Sequence, residues 1–184
     1  MRIEAQKAVM TPEGVYIVAT YDENGIPNAM NAAWGIQSDF GEITLFMASH
    51  KTTENIEKTG AFTVSFGTVD TLEISDYFGI ETGHRVNKIE KAGVHVKKSE
   101  LVNAPVILEY PLTLECTLKS WDPETGALVG TVVGEIADES VLTEGVVDLG
   151  KLRPIIFDPA MNVYRTIGEV AGKAFGAGKA IKDR

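Results

Sequence analysis

The pattern of hydrophobic and polar positions along the chain predicts short β-strands separated by turns. Residues 14–21 are rich in β-branched and aromatic side chains, and Asn24-Gly25 follows them directly. An Asn-Gly pair beside such a run is the strongest short-range signal of a hairpin turn. We therefore expect a β-hairpin whose return strand covers residues 28–36.

Small side chains dominate this return strand. Only Met30, Trp34 and Ile36 carry bulk. A strand with few large side chains leaves its backbone accessible. Either a flat ligand lies against it, or another sheet packs tightly on it.

A strand followed by a short helix is predicted next. Residues 42–48 have strand character, and the composition then changes to that of a helix start, with Thr52 or Thr53 as the N-cap. Gly60 marks the end of the helix, and residues 61–66 form another strand. Residues 69–78 are compatible with a helix or with irregular structure.

A second, longer hairpin is predicted from residue 106 onward, with its turn at residues 122–126 and its return arm at residues 127–142. In the first arm, alternation at period two predicts one apolar and one polar face. The apolar face consists of Leu112, Leu114, Cys116 and Leu118, and the polar face of Thr113, Glu115, Thr117 and Lys119. Cys116 is then a small buried hydrophobic residue. About six strands without a βαβ rhythm predict a mainly β fold with α additions, an antiparallel barrel rather than a parallel Rossmann sheet.

Length and composition indicate a single domain over residues 1–184. The chain is 44% hydrophobic, and no run approaches the roughly 20 apolar residues of a membrane span or shows a leader pattern. Cys116 is the only cysteine, so a disulfide within the chain is excluded. We expect a soluble, cytoplasmic protein.

The net charge narrows the possible partners. With 26 acidic and 17 basic residues the formal charge is -9, which repels nucleic acid and anionic membranes. A ligand that carries phosphate therefore needs a local cluster of donors.

Such a cluster exists where the third predicted strand gives way to the helix. Ser49, Thr52 and Thr53 provide hydroxyl groups, Lys51 a positive charge, and the helix N-terminus its unpaired N–H groups. The arrangement suits an anion, although an ordinary capped helix with a solvated lysine has the same sequence pattern. Metal and hydrolase sites are disfavoured, because the three histidines lie far apart and no nucleophile motif is present.

Two linked segments carry a resemblance to a known family. They are Asn28-Ala29-Met30-Asn31-Ala32-Ala33-Trp34-Gly35 and Ser49-His50-Lys51-Thr52-Thr53-Glu54-Asn55-Ile56. Together they resemble the FMN-site signature of the flavin reductase-like family, which includes the flavoredoxins. The stretch from Asp76 to Gly79, with Gly83 and Lys88, and the glycine-rich tail from Gly168 to Lys179 are similar to that family too. The resemblance implies an FMN-binding split β-barrel that forms a homodimer.

The resemblance also implies roles for individual residues. The isoalloxazine ring would lie along Asn31, Ala32, Ala33 and Trp34. The phosphate would be held by Ser49, Lys51 and Thr53, with Thr52 as a further hydroxyl donor. His50 would touch the phosphate or the ribityl chain, or remain a surface histidine.

The glycine-containing loop at residues 79–89 is the candidate site for NADH or NADPH, or for a cover over the flavin. His84, Arg85 and Lys88 would meet a dinucleotide phosphate there. Many relatives have Asp-Lys-Phe where this chain has Asn87-Lys88-Ile89, which weakens the expectation of direct NAD(P)H use. The alternative is a solvated basic loop on an acidic protein.

The predicted function is that of an FMN-dependent oxidoreductase, in the first instance an NAD(P)H:flavin reductase. One alternative is a flavoredoxin-type electron carrier reduced by a redox partner protein. Another is a non-catalytic ligand-binding barrel. The glycines and alanines of the C-terminal segment indicate close approach to a partner subunit or a loose tail.

Overall fold

Thirteen strands and five α-helices make up the described part of the chain, residues 11–182 of a computed structural model. The strands are β1 (Tyr16–Tyr21), β2 (Pro27–Ala32), β3 (Gly35–Asp39), β4 (Glu42–Phe46), β5 (Ala61–Phe66), β6 (Val96–Lys98), β7 (Pro105–Ile107), β8 (Leu112–Asp122), β9 (Ala127–Ala137), β10 (Leu142–Thr143), β11 (Val146–Val147), β12 (Ile155–Asp158) and β13 (Val163–Thr166). The helices are α1 (Lys51–Thr59), α2 (Leu72–Ile80), α3 (Lys88–Ala92), α4 (Leu149–Leu152) and α5 (Lys179–Lys182), with a 3-10 turn at Glu139–Val141. The mainly β architecture with α additions confirms the predicted class.

One antiparallel sheet dominates the molecule. Its seven strands follow the order β2-β1-β5-β8-β9-β4-β3, so that β2 and β3 form the two edges. Only Ala33 and Trp34 separate these two edge strands along the chain. The sheet must therefore curl until its edges lie close together.

The prediction of one continuous strand over residues 28–36 is wrong. The first part, β2, pairs with β1, whereas the second part, β3, pairs with β4 at the opposite edge. Residues 33–34 connect the two. Side-chain alternation cannot distinguish a strand that continues from one that leaves its partner and joins the far edge of the same sheet.

Strand β1 is buried on both faces, because it lies between two cores. Val18 faces the interior of the curled sheet with Phe62, whereas Ile17 packs with Phe78 and Ile89 of the helical layer. The predicted first hairpin is confirmed, with Val18 paired to Met30 and Gly25 in the turn at φ 77°. This packing fixes α2 and α3 beside β2.

Helix α1 begins two or three residues earlier than the sequence indicates. His50 is the N-cap, with an extended backbone, and neither Thr52 nor Thr53 takes that position. The predicted end is confirmed: Gly60 adopts a left-handed conformation with φ 68°, and its N–H bonds to the carbonyl of Ile56. The ambiguous stretch at residues 69–78 is mostly helical, since α2 begins at Leu72.

The second hairpin, β8–β9, confirms the predicted turn and the burial of Cys116. Burial raises the pKa of the Cys116 thiol to about 12, and the charge of Glu115 adds to the effect. The predicted polar face is buried at its first two positions, Thr113 and Glu115. Residues 96–105 cover this face, where Ser99 donates to Glu115 and Thr63 donates to the Pro105 carbonyl.

Candidate functional site

A groove runs between β2, the start of α1 and the connection from α2 to α3. Its larger part has a volume of about 290 Å³ and is lined by residues from all three regions, including Asn28, Lys51 and Gly79. A neighbouring cavity of about 200 Å³ extends along Ala33 and Trp34. The two cavities share Met30, Asn31 and His50. We refer to them together as the groove.

The start of α1 presents donors to the groove. His50, Lys51 and Thr52 all line it. The first N–H groups of an α-helix have no acceptor within the helix and carry the positive end of its dipole. Lys51 adds a full charge, and its only ion-pair contact within residues 11–182 is a loose one of 3.9 Å to Asp22. This end of the groove therefore suits an anion.

The adjacent residues Thr52 and Thr53 differ in role, because one lines the groove and the other caps the helix. The Thr53 hydroxyl accepts from the His50 N–H at 2.8 Å and donates to the His50 carbonyl at 2.9 Å. It thus stabilises the helix start and does not line the groove. The Thr52 oxygen accepts from the Asn28 amide at 2.8 Å, which leaves its own O–H available as a donor.

Ser49 lies exposed beside the N-cap, outside the lining of the groove. Of the five residues predicted around the phosphate, the structure therefore brings His50, Lys51 and Thr52 to the groove. Thr53 is buried behind it.

At the other end of the groove, the link between β2 and β3 exposes backbone. Ala33 and Trp34 lie outside both ladders, and their N–H groups donate to no residue in the described range 11–182. The Trp34 carbonyl accepts from the Phe46 N–H at 2.8 Å, and the indole is 60% exposed. Unpaired amides beside small side chains are what the polar edge of a flat ring requires.

The Asn31 side chain is already engaged. Its amide donates to the carbonyl of Ser75 in α2 at 2.9 Å. Asn31 therefore joins β2 to α2 and shapes the wall of the groove, while its backbone remains part of the strand.

The connection from α2 to α3 forms the opposite wall. Gly83 lies so close to β2 that a Cβ atom there would stand 2.2 Å from Oδ1 of Asn28. A side chain at this position would therefore displace the Asn28 amide, which donates to Thr52. The wall includes Phe78, Ile80 and Glu81. Phe78 lies in the stretch 76–79 that carries the resemblance, and Ile80 and Glu81 lie in the segment 79–89 predicted as a cover, although no pattern identifies any of the three individually.

Lys88 is not part of a solvated loop. It is the first residue of α3, it is only 3% exposed, and its ammonium donates to the carbonyls of Phe78 at 3.1 Å and Glu81 at 3.2 Å. Burial lowers the pKa of Lys88 to about 8, and the negative charge of Glu81 partly opposes this shift. The alternative of a solvated basic loop is therefore wrong for Lys88.

His84 and Arg85 are more exposed and face carboxylates. The His84 ring lies 3.4 Å from Glu54, and the Arg85 guanidinium lies 3.9 Å from Glu81. Arg85 and Lys88 line the groove, whereas His84 does not. The three predicted cations do not form one open cluster.

Comparison with known proteins identifies the family. The flavin reductase like domain matches residues 9–151. The chain belongs to the flavin reductase-like family.

Flavin reductase-like structures match nearly the whole chain. The flavoredoxin of Desulfovibrio vulgaris (Miyazaki F) is 31% identical, with a TM-score of 0.91 over 97% of this chain and 98% of that one. A flavoredoxin from Methanosarcina acetivorans is 28% identical, with a TM-score of 0.89 over 98% of this chain and 99% of that one. An uncharacterized protein of Aquifex aeolicus (strain VF5) is 28% identical over 91% of this chain and 85% of its own. These matches confirm the predicted split barrel.

The flavin reductase-like fold is also shared by more distant proteins. Nitrilotriacetate monooxygenase component B from Bacillus cereus is 20% identical, with a TM-score of 0.79 over 89% of this chain and 88% of that one. At this identity the likeness concerns the fold alone. Within residues 11–182, no helix combines the length and apolar character needed to cross a bilayer.

Proposed function

We propose that this protein binds FMN in the groove and transfers electrons through it. The observation that carries the proposal is the pairing of the two ends: a helix N-terminus with Lys51 at one end, and unpaired backbone amides at Ala33 and Trp34 at the other. FMN has the corresponding parts, a phosphate and a flat ring with a polar edge. Membership of the flavin reductase-like family supports flavin binding.

In this proposal the phosphate is held by the first-turn N–H groups of α1, the Lys51 ammonium and the Thr52 hydroxyl. Charge-assisted hydrogen bonds of this kind are about twice as strong as neutral ones. Thr53 acts through the helix cap, by holding the backbone of His50 in place. His50 lines this end of the groove, whereas Ser49 lies outside its lining.

The ring is assigned to the stretch from Asn31 to Trp34. Ala32 and Ala33 allow close approach, and the amides of Ala33 and Trp34 are available as donors. When bound, FMN supplies the redox chemistry, accepting and releasing electrons. The side chains bind and orient it, and no general acid or base is required of them.

The electron donor to the flavin is either NAD(P)H or a redox partner protein. Arg85 is exposed and has only a loose contact of 3.9 Å with Glu81, His84 lies 3.4 Å from Glu54, and Lys88 is buried against two carbonyls, so only Arg85 has a charge available. These contacts leave no open cluster of cations for a dinucleotide phosphate among the predicted residues. Together with the similarity to two flavoredoxins over almost the whole chain, they favour an electron carrier reduced by a redox partner protein over an NAD(P)H:flavin reductase.

The absorption spectrum of the purified protein with FMN tests both levels of the proposal. Flavin bands that remain with the protein through gel filtration support FMN binding, and colourless protein contradicts it in favour of a non-catalytic barrel. Bands that persist under anaerobic NADH and NADPH but bleach with dithionite support the carrier. Rapid bleaching by either nucleotide identifies a reductase instead.

We further propose a cytoplasmic homodimer. Exposed large apolar side chains lie on or next to the edge strand β3 and its neighbour β4: Trp34, Ile36, Phe40 and Phe46. Such surfaces commonly form subunit contacts. Light scattering should give a mass of twice the 19.9 kDa chain. A mass of one chain at micromolar concentration contradicts the dimer.

A further inference from the structure

A second cavity lies on the sheet under residues 96–104, apart from the groove. Its volume is about 330 Å³, and Lys97, Ser99, Glu100, Leu101, Glu115 and Ile136 line it. None of these residues lines the groove. We refer to it as the Glu115 cavity.

The carboxylate of Glu115 is fixed within this cavity. Glu115 is 4% exposed, and its Oε1 accepts from the Ser99 hydroxyl. That hydroxyl in turn accepts from the N–H groups of Leu101 and Val102, at 3.1 and 2.9 Å. Ser99 has no further hydrogen to donate, so its position and that of Oε1 are set by the turn.

The second oxygen of the same carboxylate has no such partner. Within residues 11–182 no group donates to Oε2, and no lysine, arginine or histidine forms an ion pair with Glu115. Oε2 is therefore the oxygen of this carboxylate that is accessible from the cavity and free to accept a hydrogen bond. A cationic donor in the cavity would form a charge-assisted hydrogen bond with Oε2.

Gly134 provides the space for Oε2. A Cβ atom at this position of β9 would stand 2.5 Å from Oε2 of Glu115 and 2.5 Å from a methyl group of Leu101. Any larger residue would displace the carboxylate or close the cavity. The local sequence thus keeps a buried acid beside an open volume.

The rest of the lining restricts the ligand. Lys97 and Glu100 are exposed and of opposite charge, so their charges cancel. The carboxylate of Glu115 then gives the cavity a net negative charge. Leu101 and Ile136 supply aliphatic surface. With one carboxylate at depth, the cavity offers too few ligands for a divalent metal, which requires several oxygens.

We propose that the Glu115 cavity binds a primary ammonium group on a short aliphatic chain. The ammonium donates to Oε2 of Glu115, and the chain packs on Leu101 and Ile136. Such a group is supplied either by a small alkylamine or by the lysine side chain of a peptide, and both share the chemistry that the cavity recognises. This site is independent of the proposed flavin function.

The test is a titration of the full-length protein with n-butylammonium chloride, followed by the NMR shifts of the backbone amides of Ser99, Leu101, Val102 and Gly134. We expect saturable shifts, and at least tenfold weaker binding of n-butanol, which has the same chain without the charge. Absence of saturable shifts, or equal shifts with n-butanol, overturns the proposal.

A matched pair of variants locates the effect. Glu115→Gln retains the acceptor for Ser99 but removes the charge, and should abolish the response to n-butylammonium. Glu124→Gln makes the same charge change in the exposed β8–β9 turn and should leave it intact. Undiminished binding in Glu115→Gln overturns the assignment. Should that variant not fold, the comparison with n-butanol still decides.

A further titration with Nα-acetyl-lysine methylamide distinguishes the sources. Tighter binding than n-butylammonium assigns the site to a lysine side chain, and weaker binding assigns it to a small amine. Both outcomes retain the ammonium site.

Discussion

Lys51 and Lys88 line the same groove, but their charges serve different purposes. Lys51 is partly exposed and has only a loose contact with Asp22, whereas Lys88 is buried and donates to two backbone carbonyls. The first therefore has a charge available for a ligand, and the second uses its charge to join the end of α2 to the start of α3. Proximity to a groove is thus a poor guide to whether a lysine binds its contents.

The largest effect should come from removal of the buried lysine. We expect Lys88→Ala to lower the free energy of unfolding by about 2–4 kcal/mol, since it leaves a cavity and two carbonyls without a donor. Urea denaturation measures this. The control is Lys91→Ala, which removes an exposed lysine of the same helix paired with Glu81 at 3.5 Å and should change stability by less than about 0.5 kcal/mol. Equal losses in the two variants would show that Lys88 has no special structural role.

Removal of the available lysine should affect the ligand instead. We expect Lys51→Met to weaken FMN binding by roughly 10- to 100-fold, the range for one charge-assisted contact of about 1.5–3 kcal/mol. Stability should remain nearly unchanged. Quenching of FMN fluorescence gives the Kd.

Lys58→Met is the matched control for that measurement, because Lys58 lies at the other end of α1 and pairs with Glu23 at 2.6 Å. It should leave the Kd within about twofold, since exposed charges at that distance are largely screened. An equal loss of FMN affinity in both variants would show that Lys51 acts only through long-range electrostatic attraction and not through a direct contact.

The two adjacent threonines sharpen the comparison within one helix turn. Thr52→Val removes a hydroxyl that lines the groove, and we expect roughly five- to tenfold weaker FMN binding, about one neutral hydrogen bond. Thr53→Val removes the cap and should cost about 1 kcal/mol of stability with little change in FMN affinity. Kd values and urea midpoints of both variants are needed. If Thr53→Val lost more FMN affinity than Thr52→Val, Thr53 and not Thr52 would be the phosphate-binding hydroxyl.

The pH dependence of stability gives a further test of the burial of Lys88. Its folded-state pKa of about 8 lies below the ordinary value of 10.5, so the native state releases its proton before the unfolded state does. The wild type should therefore gain stability relative to Lys88→Met as pH rises from about 8 to 10.5, on the order of 2–3 kcal/mol. Urea midpoints across this range measure the difference, and parallel curves would contradict the lowered pKa.

Local chemistry predicts most of this fold. The Asn24-Gly25 turn, the β8–β9 hairpin and the burial of Cys116 follow from turn preference and alternation, which act between neighbours in sequence. The division of residues 28–36 into two strands does not, because it depends on which edge of a curled sheet receives β3. Glu115 likewise lies on a polar face by alternation, yet is buried by a segment that precedes it by some fifteen residues.

In the candidate site too, local features follow from the sequence and tertiary contacts do not. His50, Lys51 and Thr52 reach the groove as the helix-start pattern predicts, since a helix N-terminus orients its own first turn. The pattern could not tell Thr52 from Thr53, because which hydroxyl closes the cap depends on whether His50 or a threonine is the N-cap. The wall formed by α2 is a tertiary contact, made through Asn31 and Ser75, and no local signal reports it.

The two-residue link between β2 and β3 has a consequence for the variation that the chain can tolerate. Ala33 and Trp34 limit how far apart the edge strands β2 and β3 can lie, and they also line the groove. An inserted residue would let β2 and β3 move apart and would displace the lining of the groove at the same time. A change in the length of this link therefore alters both the curvature of the sheet and the shape of the groove. Insertions that a surface turn such as residues 159–162 tolerates should not be tolerated between β2 and β3.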